Sequence, residues 1–228
     1  MRFPTARKSR RVGRKIKYQA ILWDNDGPLI DSERVFFEAS VEHFAQHGVT
    51  LSKHDWGIHY LGEGLGSQKL ATMLGMDPAV INGMCAARDQ AYRDALLQSP
   101  ALRPQVIETL TQLSGQVKMA MVTGNHIGSV RRMHEGSGVL ERFDAIITAD
   151  DYYELKPHPE PFLTGAQALG IAPEHCLAVE DSKRGLWSAI NAGMDCIVVP
   201  SDLTEMQDFT GALAVEQDVS GVLQHLGR

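Results

Sequence analysis

Residues 20–33 read AILWDNDGPLIDSE: Ala20-Ile21-Leu22-Trp23, then Asp24-Asn25-Asp26, then Gly27-Pro28. Four apolar residues with no polar alternation have the character of a short strand covered on both faces. Asp, Asn, Gly and Pro end such a strand well. That accounts for a turn but not for the carboxylate pair. Side chains at i and i+2 of an extended segment share a face, and like charges there raise each other's cost. A positive group therefore belongs beside Asp24 and Asp26, and a divalent cation is the simplest candidate, since hard carboxylate oxygens suit Mg2+.

Outward from this stretch, which starts near residue 19, further apolar runs occur at 117–122, 145–148, 176–179 and 196–199. Helical stretches fit between them at 104–113, 129–140, 161–169 and 182–192. This alternation predicts a doubly wound parallel α/β sheet. Right-handed crossovers then bring every strand's carboxyl end to one edge, where open α/β sheets bind ligands.

The interval 31–102 has no strand-like run. Phe36, Phe37, Ser40, Val41 and Phe44 recur at helical spacing, as do Leu70, Met73 and Leu74, and residues 86–97 have a helical composition. It reads as a helical insert tethered by 28–32 and 99–104, with 18–30 and 103–228 forming the core. Gly62, Gly64 and Gly66 do not follow the G-x-G-x-x-G spacing and no strand precedes them, so they mark a turn between helices of the insert.

With 228 residues, 43% of them hydrophobic, the chain can build one sizeable core plus a small appended domain. No apolar run approaches the roughly 20 residues of a membrane span. Eight of the 22 bases lie in residues 1–17 without an acid, so the other 14 face 28 acids and the body carries −14. A body that acidic is a poor nucleic-acid binder. Residues 9–15, SRRVGRK, lack the apolar segment and cleavage site of an export signal, and 1–17 reads as a basic, disordered extension. Three cysteines without a C-x-x-C fit a reducing, cytoplasmic setting. Nothing in the sequence calls for a second chain, and a monomer is the expectation.

Four of these strand ends or the loops after them carry functional groups: Asp24 and Asp26; Thr123-Gly124-Asn125; Lys156 in Lys156-Pro157-His158-Pro159; and Glu180-Asp181-Ser182. One polar strand end means little, whereas four on one edge form a constellation. In order and spacing, from about Tyr18 to Pro200, they resemble the haloacid dehalogenase superfamily, in its phosphatase and β-phosphoglucomutase branch. DNDGPLIDSE is similar to D-x-D-G-[TV]-L-x-D-[ST]. VTGN resembles a strand ending in Thr or Ser, LKPHPEPF a K-P-x-P motif, and VEDSKRG an E-D-S-x-x-G motif.

The resemblance implies a Rossmann-like core with a small inserted helical cap, and a Mg2+-dependent phosphomonoester hydrolase acting on a small phosphorylated metabolite, such as a sugar or polyol phosphate. It implies that Asp24 is the nucleophile forming an aspartyl-phosphate, that Asp26 is the general acid and base, and that Lys156 supplies positive charge. It implies phosphate binding by Thr123, Asn125 and backbone N–H groups near Gly27 and Gly124. The implied Mg2+ ligands are the Asp24 carboxylate, the Asp26 carbonyl and Asp181, with Glu180 as ligand or beside one. Trp56, His59, Tyr60, Glu63 and Lys69 are the insert's candidates for substrate contact.

One departure, one discriminating residue and two alternatives shape this reading. Pro28 replaces the usual Thr or Val and removes a backbone N–H from the first motif. Asp26 argues against dehalogenase chemistry, which needs no acid for its leaving group. A sugar phosphomutase of the same branch needs cationic help for a second phosphate, and the insert offers Lys69 accompanied by Glu63. A catalytically silent phosphometabolite-binding protein is the alternative from another class, and no empty catalytic position favours it.

Overall fold

The computed structural model describes residues 17–96 and 102–226. The basic extension expected over 1–17 lies, apart from Lys17, outside the described residues, as does half of the second tether, residues 99–101. Among the described residues six strands form one parallel sheet: β1 (Ala20–Trp23), β2 (Lys118–Val122), β3 (Ala145–Ile147), β4 (Cys176–Glu180), β5 (Asp195–Val198) and β6 (Ala214–Val215), in the order β3-β2-β1-β4-β5-β6. The two-residue β6 is too short for any periodicity to announce it.

The unbroken apolar runs have the physical cause anticipated for them. Alternate residues of each central strand feed opposite cores: Ile21, Trp23, Met119, Met121, Leu177, Val179 and Ile197 enter one, while Ala20, Leu22, Ala120, Val122, Ala178, Cys196 and Val198 enter the other. Helices α5 (Val106–Leu113), α6 (Ile127–Met133), α7 (Glu160–Leu169) and α8 (Lys183–Asn191) connect the strands. The helix expected over 129–140 stops at Met133 because the chain turns through Gly136 and Gly138, both at positive φ (72° and 69°).

Between β1 and β2 stand α1 (Ser32–Gln46), α2 (Lys53–Asp55), a π-helical turn (Trp56–Gly62), α3 (Ser67–Met73) and α4 (Pro78–Leu96). They gather their own apolar cluster, including Phe37, Phe44, Trp56, Leu70 and Met84, with Leu203 of the core against it. Gly62 ends the π-helical turn, and the glycine-rich stretch after it leads into α3. No helix among the described residues is long and apolar enough to cross a membrane.

Candidate active site

Strand order places β1 and β4 side by side where the winding reverses, so Asp24 and Glu180-Asp181 leave neighbouring strands at the crevice such sheets use for ligands. The Asp24 N–H still donates to Val179 O at 2.8 Å, which holds the carboxylate at the end of the ladder. Gly27 then takes φ +101°, and a Cβ on it would lie 2.2 Å from Asp181 Oδ2. Only glycine lets the first turn pass so close to the fourth strand's acid. Pro28 leaves no gap in this turn: Leu29 and Ile30 N–H donate to Asn25 O, and Gly27 N–H donates to Ile30 O.

Lys156 arrives from the loop after β3 and spends all three ammonium hydrogens. It donates to Asp24 Oδ1 at 2.5 Å, Glu180 Oε1 at 2.6 Å and Val122 O at 3.1 Å. Burial alone would lower its pKa, but the facing Asp24 and Glu180 carboxylates outweigh that and hold it above the ordinary lysine value. Glu180 Oε2 accepts from the Asp181 N–H at 3.2 Å and the Ser182 hydroxyl at 3.4 Å, so both its oxygens are engaged within the protein.

Asp24, Glu180 and Asp181 each offer an oxygen within 4.8 Å of the others, and all three are buried. Burial raises the Asp24 carboxyl, with Glu180 and Asp26 adding and Lys156 opposing; burial also raises Asp181, with Glu180 and Asp24 adding. One lysine does not neutralise three buried carboxylates. The donor set is all hard oxygen with an excess of negative charge, and that fits a divalent cation such as Mg2+.

Asp26 is held by four donors. Ser32 Oγ donates to its Oδ1; its Oδ2 accepts from Asn125 Nδ2 at 2.6 Å, Thr123 Oγ1 at 3.0 Å and Asn25 Nδ2 at 3.3 Å. Thr123 is fully buried behind the cavity wall and spends its hydroxyl on Asp26, whereas Gly124 and Asn125 line the cavity.

The cavity has a volume of about 350 Å³ and also contains Asp24, Asp26, Lys156, Glu180 and Asp181. Of the insert's five candidates it contains Tyr60 alone. Trp56 points into the insert's own core, stacked on Tyr60 at 3.9 Å between ring centroids, because the π-helical turn carries it inward. His59 pairs with the exposed Glu63 at 2.9 Å, and Glu63 borders a second, smaller groove. Lys69 is exposed on α3 and lines neither space.

Sequence reasoning missed Glu33, Phe36, Tyr92 and Arg184, all on the cavity wall. Glu33 Oε2 is buried without a hydrogen-bond partner among the described residues. Burial pushes its carboxyl up to about 7, with Asp26 adding and Arg184 opposing. Glu33 closes the DNDGPLIDSE stretch, and its place on the first turn of α1, beside the cavity mouth, was the available signal.

CbbY of Rhodobacter capsulatus is 30% identical over 209 residues, covering 86% of this chain and 92% of its own. Fructose-1-phosphate phosphatase YqaB of Escherichia coli (strain K12) is 27% identical over 186 residues, 80% of this chain and 97% of its own. A crystal structure of a CbbY mutant from Rhodobacter sphaeroides in complex with xylulose-(1,5)bisphosphate superposes with a TM-score of 0.74 at 25% identity, over 92% of this chain and 100% of that one. Residues 21–199, from the first strand to the end of the fifth, match the model of one family. The chain belongs to the haloacid dehalogenase-like hydrolases.

Proposed function

We propose that this chain is a phosphomonoester hydrolase that works through an aspartyl-phosphate on Asp24 and takes a small polyhydroxylated substrate, a sugar or polyol phosphate. The observation that carries the reading is the Lys156 ammonium held between the Asp24 and Glu180 carboxylates on the wall of one cavity with Asp26. Phosphoryl transfer needs little covalent help from the protein beyond a positioned nucleophile and positive charge, and this arrangement supplies both.

In the first step an Asp24 oxygen bonds to phosphorus as the bond to the leaving oxygen breaks, and Asp26 gives that oxygen its proton. In the second, water attacks phosphorus, Asp26 takes the water's proton, and phosphate departs from Asp24. Asn125 and the backbone at Gly124 line the space a phosphate would occupy. Asp24 and Asp181 would hold Mg2+, with Glu180 fixing Lys156 beside them. When bound, the ion supplies positive charge for the phosphoryl oxygens.

Glu33 and Arg184 support the substrate class. A buried carboxylate oxygen with no donor among the described residues is satisfied by a substrate hydroxyl, and a guanidinium nearby offers several N–H groups in return. The relatives run the same way: a CbbY mutant is crystallised with xylulose-(1,5)bisphosphate, and YqaB is a fructose-1-phosphate phosphatase. Lys69, the insert's cation for holding a second phosphate, stands outside the cavity, which supports hydrolysis over phosphoryl return to a sugar.

The test is phosphate release from p-nitrophenyl phosphate and a panel of sugar and polyol monophosphates at fixed Mg2+. Turnover that disappears in Asp24→Asn is the expected result. Absence of turnover with every member of the panel would overturn the proposal.

A further inference from the structure

Beneath the first turn lies a polar pair that packing does not require. Asn25 is 0% exposed and His134, at the end of α6, is 3% exposed. His134 Nε2 stands 2.6 Å from Asn25 Oδ1, and His134 Nδ1 is buried with no hydrogen-bond partner among the described residues. Two apolar side chains would fill the same space without stranding a ring nitrogen, and an orphaned buried polar atom is a standing cost. The pair's other contacts lead toward the site. Asn25 Nδ2 donates to Asp26 Oδ2 at 3.3 Å and to Met133 Sδ at 3.7 Å.

We propose that His134 is a positioning residue that acts through Asn25 on Asp26. This rests on the reading of Asp26 as the acid and base of phosphoester hydrolysis. Asn25 Oδ1 is purely an acceptor, so the contact requires the hydrogen on His134 Nε2. That hydrogen fixes which way round the Asn25 amide sits. With the amide reversed, its carbonyl oxygen would face the Asp26 carboxylate and its NH2 group would face the His134 N–H, and both contacts would be repulsive. The imidazole therefore keeps an N–H donor, rather than an oxygen, against Asp26 from the buried side. Thr123, Asn125 and Ser32 hold the same carboxylate from elsewhere.

The experiment uses two aryl phosphates that differ in how much the leaving oxygen needs a proton: phenyl phosphate, which needs it, and p-nitrophenyl phosphate, which does not. Because kcat/KM reports the steps up to departure of the leaving group, misplacing Asp26 costs more on phenyl phosphate. His134→Met and Asn25→Leu are expected to lower kcat/KM on phenyl phosphate about tenfold more than on p-nitrophenyl phosphate. His134→Gln, whose amide NH2 reaches the same place, is expected to stay within about threefold of wild type on both. Thermal melts establish that each variant is folded. Equal losses on both substrates, or a folded His134→Gln no better than His134→Met, would overturn the assignment alone. A wild-type chain inert toward both esters would overturn the hydrolase reading and this assignment with it.

Discussion

Gly185 and Glu180 are fitted to each other by space: a Cβ on Gly185 would stand 1.9 Å from the Glu180 carboxyl carbon and 2.0 Å from its Oε2. The glycine lies in the first turn of α8, directly under the carboxylate that receives Lys156 at 2.6 Å. Gly185→Ala must move either the helix or the acid. Overpacking of this kind costs about 1–3 kcal/mol, and displacement of Glu180 also loosens Lys156. The expected outcome is a lower Tm together with at least a roughly tenfold loss of kcat/KM. Gly128→Ala is the control, since that helical glycine has nothing among the described residues within 4 Å of an added Cβ. It should be neutral or stabilising by about 1 kcal/mol.

Lys156→Met keeps the length of the side chain and removes its charge, leaving Asp24 and Glu180 facing each other in a buried site. Breaking a buried ion pair by removing one partner costs about 3–5 kcal/mol at neutral pH. The variant's deficit should shrink as pH falls. Asp24 is already raised by burial, and without the ammonium it takes up a proton more readily and relieves the repulsion. Denaturant unfolding at pH 7.5 and pH 5 measures both deficits. A gap independent of pH would contradict the account of the ion triad.

Glu33 carries a pH dependence with a definite sign. Its folded pKa of about 7 lies above the ordinary 4.5, so the folded state binds the proton more tightly. Below 4.5 both states are protonated and Glu33 costs nothing. Across the window from 4.5 to about 7 the wild type loses stability as the buried carboxyl ionises, and above it the penalty is constant. Glu33→Gln removes the titration. The variant's stability advantage should be near zero at pH 4.5 and grow to a plateau above pH 7, with a ceiling of roughly 3 kcal/mol. The same variant should raise KM for polyol phosphates more than for p-nitrophenyl phosphate, because the aryl ester has no hydroxyl for Glu33 to accept from.

The parallel sheet was legible because its strands are buried on both faces. Ile21 and Trp23 serve one core while Ala20 and Leu22 serve the other, and that two-sided demand writes a continuous apolar run. The core motifs were legible because a sheet edge collects strand ends whatever the loops do. The insert's contribution was not legible. Trp56 and Tyr60 are both aromatic, four residues apart, but a π-helical turn carries them, and which ring reaches the cavity depends on that irregular winding. Arg184 sits inside a motif whose neighbours Asp181 and Gly185 have evident roles. Its direction is fixed by the start of α8, which residue spacing alone does not specify.

Mg2+ and Asp181 are linked through stability as well as activity. Burial, Glu180 and Asp24 all push the Asp181 carboxyl up, so without a cation its charge is a burden on the fold. Asp181→Asn removes that charge at nearly constant volume, and the amide is expected to melt at a higher temperature than wild type when Mg2+ is chelated at pH 7. Addition of Mg2+ should reverse the order. A site that binds only the folded state gains RT ln(1 + [L]/Kd), about 2.7 kcal/mol at a hundredfold excess over Kd, and the wild type should collect this while Asp181→Asn collects little. Scanning fluorimetry or calorimetry with and without Mg2+ reads both arms. Should the amide variant be the weaker one in chelator, or keep the full Mg2+ shift, Asp181 would not be the charged partner that the buried cluster requires.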